Sequence, residues 1–127
     1  MASLGRVLVI DDELEVALLL HDALTVFGYT VKMAVTGPEG LNLVPVFKPD
    51  VVLLDLWLPG APGEEVLRQI RQHDPALPVV IITGNRDPQV ARAVLEMAFD
   101  FIPKPFELTV IERVVAAAVV ERERRVQ

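Results

Sequence analysis

Short apolar runs alternate with longer amphipathic ones along the chain. Five short runs read as strands: 6–10 (RVLVI), 30–34 (TVKMA), 50–54 (DVVLL), 78–82 (PVVII) and 100–102 (DFI). They are rich in β-branched residues and bounded by turn formers. Runs 6–10, 50–54 and 78–82 are almost wholly apolar, as expected of central parallel strands covered on both faces. Helical patterns fill the gaps, at about 13–27, 37–47, 64–73, 88–97 and 107–124. Gly28 fits the position just past the first helix. Pro38 and Pro88 fit helix starts, where a missing N–H costs little. Glu64 and Glu65 load the first turn of the third helix with the favourable charge. A βα unit repeated five times predicts a doubly wound α/β sandwich around a five-stranded parallel sheet. Its functional crevice lies at the carboxyl ends of the strands.

Composition narrows the class. With 127 residues and 52% hydrophobic content the chain suits one domain, 1–127, with one packed interior. Only the tail ERERRVQ, 121–127, turns strongly charged and reads as the start of a linker. The formal net charge of -6 argues against direct nucleic-acid binding by this domain. The chain has no cysteine, which removes disulfides, thiolate metal sites and cysteine nucleophiles. The N-terminus lacks the apolar length of a signal peptide, and no window reaches the ~18 apolar residues of a membrane span. The expectation is a cytoplasmic domain without membrane contact.

The strand ends carry the chemistry. The first strand ends in Asp11-Asp12, the third in Asp55 and the fourth in Thr83-Gly84, and the fifth is followed by Lys104-Pro105. The predicted fold brings these three carboxylates, one hydroxyl and one ammonium together. Two carboxylates ~5 Å apart repel by roughly 3 kcal/mol at an effective dielectric near 20. Such a set calls for a cation or a proton, and its oxygen ligands suit a hard divalent ion such as Mg²⁺. A metal, an ammonium and a hydroxyl around one carboxylate can hold a phosphoryl group by its equatorial oxygens. The carboxylate can then act as nucleophile and form an acyl phosphate.

The pieces VIDDE at 9–13, LLDLWLPGAPG at 53–63 and IITGNRDPQVARAVLEMAFDFIPKPF at 81–106, on five βα spacings, resemble the receiver domain of two-component response regulators over essentially the whole chain. The last piece is most similar to receivers attached to transcriptional regulators. The resemblance implies a flavodoxin-like strand order, 2-1-3-4-5. The chain is either a complete protein or the N-terminal part of a longer regulator, and the charged tail points to the second. It implies that Asp55 accepts a phosphoryl group from a phosphohistidine on a sensor histidine kinase or a histidine phosphotransfer protein. It implies Mg²⁺ held by Asp11, Asp12, Asp55 and the backbone carbonyl of Trp57, with Thr83 and Lys104 on the phosphoryl oxygens. Thr83 and the aromatic Phe101 would relay the change to the surface of the fourth helix, fifth strand and fifth helix. That surface would control transcription or oligomerisation, with a homodimer as one outcome. The Lys104-Pro105 bond would be cis. Catalysis would be confined to the domain's own phosphorylation and dephosphorylation. Trp57 and Asn85, two residues after Asp55 and Thr83, would tune hydrolysis, and a bulky Trp57 would slow it by restricting attacking water.

Other readings stand beside these. Asp12 heads Asp12-Glu13-Leu14-Glu15, which fits a capping box. Thr83 and Lys104, taken singly, fit a loop residue and a solvated lysine. His21 and His73 lie in helical patterns with no metal-ligand spacing. Met97 stands where the family often has glycine, and Phe101 lacks the hydroxyl of a tyrosine. The last helix carries two apolar stripes: Leu108, Ile111, Val115 and Ala118, and then Val110, Val114, Ala117 and Val120. That is wider than one buried face needs, so it reads either as a well-covered core helix or as a contact with a second subunit. At the level of function, the alternative is a receiver-like interaction module that works without phosphorylation. The intact Asp-Asp, Asp, Thr and Lys set argues against it. A phosphatase with an aspartyl nucleophile would need a second acid where Trp57 stands.

Overall fold

The apolar runs alternate their side chains between two faces, and each face is covered. The computed structural model describes residues 2–58, 62–84, 92, 94 and 96–127. Its strands are β1 (Arg6–Ile10), β2 (Thr30–Ala34), β3 (Val51–Leu54), β4 (Val79–Thr83) and β5 (Asp100–Pro103). Its helices are α1 (Leu14–Val26), α2 (Gly37–Phe47), α3 (Gly63–His73) and the C-terminal helix (Leu108–Arg125). The strands form one parallel sheet in the order β2-β1-β3-β4-β5. The fold and strand order expected from the sequence are therefore those observed. The helix expected at 88–97 lies largely outside the described residues; Arg92 and Val94 are helical.

Odd and even positions of each central strand feed different cores. Val7, Val9, Val51, Leu53, Val80 and Ile82 pack with Ala17, Leu20 and Leu24 of α1 and with the C-terminal helix. Leu8, Ile10, Val52, Leu54, Val79 and Ile81 pack with Val44 of α2 and with Val66, Leu67 and Ile70 of α3. This two-sided burial is the reason the strands read as continuous apolar runs. On the C-terminal helix, Ile111, Val115 and Ala118 of the first stripe are buried. The second stripe splits: Val110 and Val114 pack on the core, whereas Ala117 and Val120 are exposed. The helix runs unbroken through the charged segment to Arg125. Among the described residues, no helix is long and apolar enough to cross a membrane.

Local chemistry sets the helix ends. Past α1, Gly28 adopts φ +108°. The Tyr29 amide bonds to the Leu24 carbonyl at 3.0 Å, and the Gly28 amide to Thr25 at 3.1 Å. That pair of bonds is a Schellman motif, which needs a residue without Cβ at this point. Thr36 caps α2 by accepting the Glu39 amide at 3.2 Å. The capping box expected at Asp12 does not form. The N-cap residue of α1 is Glu13, and no side chain caps that helix. The preceding acid takes the amide instead: Asp11 Oδ1 accepts the Glu13 N–H at 2.9 Å.

The edge of the sheet opposite these strand ends is tied by ions. Arg122 of the C-terminal helix pairs with Asp74, just past α3, at 2.9 Å. Arg71 of α3 donates to the carbonyls of Met97 (2.9 Å) and Leu77. Met97 itself packs against the core on the α2–α3 side, filling space where a glycine would leave a gap.

Two glycines permit close approach. A Cβ on Gly40 would lie 2.4 Å from Ile10 Cδ1, and one on Gly63 would lie 2.3 Å from Leu56 Cα. Gly63 also donates its amide to the Leu56 carbonyl at 2.8 Å, which pins the start of α3 to the loop after β3. The obstacle at Gly63 is backbone; at Gly40 it is Cδ1, Cγ1 and Cγ2 of Ile10, a β-branched side chain with no exposed surface. Gly63→Ala should therefore destabilise the domain by about 2–3 kcal/mol. Gly40→Ala should destabilise it as well, because the buried Ile10 has little room to give. Denaturant midpoints measured on both variants check this.

Candidate functional site

The register of the sheet brings the site together. Ile10 is level with Leu54, so the next residues, Asp11 and Asp55, leave adjacent strands side by side. Their own amides continue the ladders: Asp11 N–H bonds to the Ala34 carbonyl at 3.0 Å, and Asp55 N–H to Ile10 at 2.9 Å. On the other side, Thr83 is level with Pro103, and the Lys104 amide bonds to the Thr83 carbonyl at 3.1 Å. Asp11 is 2% exposed, Asp55 5% and Thr83 1%; they are the buried polar and charged residues among those described. Asp12 is exposed. Ligand oxygens of Asp11, Asp12 and Asp55 all lie within 4.8 Å of one another.

Lys104 closes the cluster. The Lys104–Pro105 bond is cis, as the resemblance implied. The Lys104 ammonium lies 2.9 Å from Asp11 Oδ2, 2.9 Å from Asp55 Oδ2 and 2.9 Å from Glu13 Oε1. The remaining oxygens are engaged by backbone: Asp55 Oδ1 accepts the Trp57 amide at 3.0 Å, and Asp11 Oδ1 the Glu13 amide. Each carboxylate oxygen still has a second lone pair for a cation.

The charges shift one another in opposite senses. Burial pushes the Asp11 carboxyl above its ordinary range, and the Asp55 charge adds to the rise. The Glu13 amide and Lys104 only partly offset this. For Lys104, burial works to lower the pKa, but hydrogen bonds to Glu13, Asp55 and Asp11 outweigh it and hold the ammonium above its usual value. The lysine is thus firmly charged, and the acids around it are in excess.

The other expected site residues fall as follows. Trp57 is tied to Asp55 through its backbone, while its side chain is half exposed beside the site. Phe101, in β5, is half-buried against the core on the α2–α3 side. A Cβ on Gly84 would meet nothing closer than Lys104 Cβ at 3.9 Å, so the space beside Thr83 is open. Asn85 lies outside the described residues. Sequence reasoning missed Glu13 as a partner of Lys104. Its place directly after two acids was the available signal, and the capping-box pattern absorbed it. A groove lined by Glu13, Val16, Leu19, Lys104, Pro105 and Phe106 adjoins the cluster; Leu19 is exposed there, and Leu14 and Leu18 are exposed elsewhere on α1.

The raised Asp11 pKa fixes a sign. An acid whose folded pKa exceeds its unfolded value binds more protons when folded, so stability falls as pH rises through that window. In metal-free buffer near pH 7, Asp11→Asn should be more stable than wild type by roughly 0.5–2 kcal/mol, the scale of a typical stabilising substitution. The difference should close as pH drops below the unfolded value of 3.8, where Asp11 is protonated in both states. Urea unfolding across pH measures it.

Comparison with known proteins agrees with this geometry. A family model described as the response regulator receiver domain matches residues 7–116. The chain is 38% identical over 119 residues to the DNA-binding transcriptional regulator NtrC of Escherichia coli (strain K12), covering 93% of this chain and 24% of that protein. It is 38% identical over 104 residues to the response regulator MprA of Mycolicibacterium vanbaalenii, covering 81% of this chain and 45% of that one. The chain thus spans less than half the length of these relatives. Among solved structures, the CheY-like receiver domain protein of Methanospirillum hungatei JF-1 superposes with a TM-score of 0.92 at 26% identity, covering 96% of this chain and 98% of that one. With the matched region spanning the sheet, the acidic cluster and Lys104, the chain belongs to the response regulator receiver domains, the phosphorylation-dependent signalling units of two-component systems.

Proposed function

We propose that Asp55 is the phosphoryl acceptor of this domain, taking the group from a phosphohistidine on a sensor histidine kinase or a histidine phosphotransfer protein. The observation that carries this reading is the setting of Asp55. It is a buried carboxylate whose Oδ2 meets the Lys104 ammonium at 2.9 Å and whose oxygens converge with those of Asp11 and Asp12.

The donor set suits a hard divalent cation, because three carboxylates with spare lone pairs meet at one rim. Asp11, Asp12 and Asp55 would hold Mg²⁺, with the Trp57 carbonyl as a further ligand. The ion supplies neutralisation of the charge that develops on the transferring group. Around it, the chain's own residues orient the reaction. The Trp57 amide and Lys104 fix the Asp55 carboxylate; Lys104 then meets an equatorial phosphoryl oxygen, and the Thr83 hydroxyl donates to another. The exposed leucines of α1 and the adjoining groove give a donor protein apolar surface to rest on. Thr83 and Phe101 would then pass the change to the surface that includes β5 and the C-terminal helix. The output, by analogy with the DNA-binding transcriptional regulator NtrC, is control of transcription through a longer regulator; a change of oligomeric state is the other output that the resemblance implies.

Incubation with Mg²⁺ and acetyl phosphate, followed by intact-mass measurement, tests the acceptor. A single phosphoryl adduct should form on the wild type and be lost in Asp55→Asn. Unmodified wild-type protein under these conditions would leave the phosphorylation-independent module as the better reading. Trp57→Asn should lose its phosphoryl group faster than wild type, because the half-exposed indole stands beside the site that water must reach. Equal decay curves would remove that role from Trp57.

A further inference from the structure

Three carboxylates share the Lys104 ammonium, and only two of them belong to the acidic cluster. The third is Glu13, whose Oε1 stands 2.9 Å from Nζ, the same distance as Asp11 and Asp55. Glu13 is not among the acids whose oxygens converge. It makes no capping bond to α1, and its side chain is 59% exposed at the mouth of the groove. An ammonium has three N–H donors and no more. Here three carboxylate oxygens stand 2.9 Å from Nζ, those of Glu13 and Asp55 as hydrogen-bond acceptors and that of Asp11 as an ion pair. A phosphoryl group on Asp55 brings further acceptor oxygens, so one partner of Lys104 must yield to it. Asp11 is buried and offers the ammonium its Oδ2 from a fixed position; Glu13 is on the solvent side and is free to leave.

We propose that Glu13 is a positioning residue that holds Lys104 in reserve, and that Lys104 exchanges Glu13 for a phosphoryl oxygen when Asp55 is modified. This rests on the reading of Asp55 as acceptor. With acetyl phosphate as donor, an Asp55 oxygen forms the new bond to phosphorus. The phosphorus–oxygen bond to the acetyl group breaks, and acetate leaves with the electron pair. Glu13 opposes this step twice. It competes for the ammonium, and it places a negative charge beside an incoming anion.

The test follows adduct formation by intact mass, with Mg²⁺ and acetyl phosphate, for wild type, Glu13→Gln, Lys104→Ala and the double variant. Glu13→Gln should gain the adduct roughly two- to fivefold faster than wild type, the scale of an exposed ion pair. The gain should shrink toward 1 M salt, where the Debye length falls to about 3 Å. It should vanish in the Lys104→Ala background. Glu13→Asp, shorter by one methylene but still charged, should show part of the Glu13→Gln gain, the part that comes from releasing Lys104, and this comparison decides the matter should Lys104→Ala form no adduct. Equal or slower acceptance by Glu13→Gln overturns the inference and leaves the acceptor reading standing. So does a gain that persists undiminished without Lys104, or a Glu13→Asp variant indistinguishable from wild type. A wild type that takes no phosphoryl group overturns both.

Discussion

The Lys104 ammonium joins two carboxylates that could not otherwise share the rim of the sheet. Asp11 and Asp55 leave neighbouring strands at the same level, and both are almost wholly buried. At ~5 Å their repulsion is worth roughly 3 kcal/mol at an effective dielectric near 20. Lys104 reaches both at 2.9 Å from the far side of β4. A buried ion cluster of this kind rarely adds net stability, because desolvation of the charges offsets their attraction. Its value lies in what it leaves poised: a charged lysine, a surplus of acid, and a carboxylate held by its neighbours in one orientation.

That orientation depends on backbone rather than on side-chain packing. The Ile10 carbonyl accepts the Asp55 amide, and Asp55 in turn accepts the Trp57 amide. Two residues into the loop, Leu56 is closed over by Gly63 at a distance no Cβ would allow. The strand fixes where Asp55 begins, and the glycine contact fixes how the loop departs. A carboxylate placed between two such constraints loses little further freedom when a ligand arrives, which is the condition for preorganised electrostatics.

Most of this was legible in the chain because the signals were redundant. Each central strand combines β-branched residues, an unbroken apolar run and flanking turn formers, and β1, β2 and α2 have the bounds expected of them. The convergence of Asp11, Asp55, Thr83 and Lys104 followed from topology alone, since parallel strands end on one edge. What failed was the position of a helix start. A capping box at Asp12 would have its carboxylate accept the Glu15 amide. The structure instead makes Glu13 the N-cap residue, with no side-chain cap, and Asp11 accepts the Glu13 amide from within the site. Glu13 was overlooked for a different reason: its partner lies 91 residues away, and no local periodicity encodes such a pair. The split second stripe of the C-terminal helix was likewise out of reach. Val114 and Ala117 have the same helical spacing, and only the neighbouring sheet decides which is covered.

The strand that carries Lys104 is also the least committed one. β5 lies at the edge of the sheet with a single neighbour, β4, and only Ile102 of its four residues is buried. Phe101 sits three residues before Lys104 on this strand, half-buried against the core on the α2–α3 side. Arg71 ties the approach to β5 through the Met97 carbonyl, and Arg122 ties the C-terminal helix that follows it. The edge strand is therefore held firmly at its flanks and loosely along its length. On the proposed reading, a change in what Lys104 grips would act on the element that can shift with the fewest broken backbone bonds. Phe101, on that same element, would be the aromatic group most directly exposed to the consequence. Coupling from Asp55 to the outer surface would then need no long chain of contacts. It would need one lysine that changes partner and one edge strand that is free to follow it.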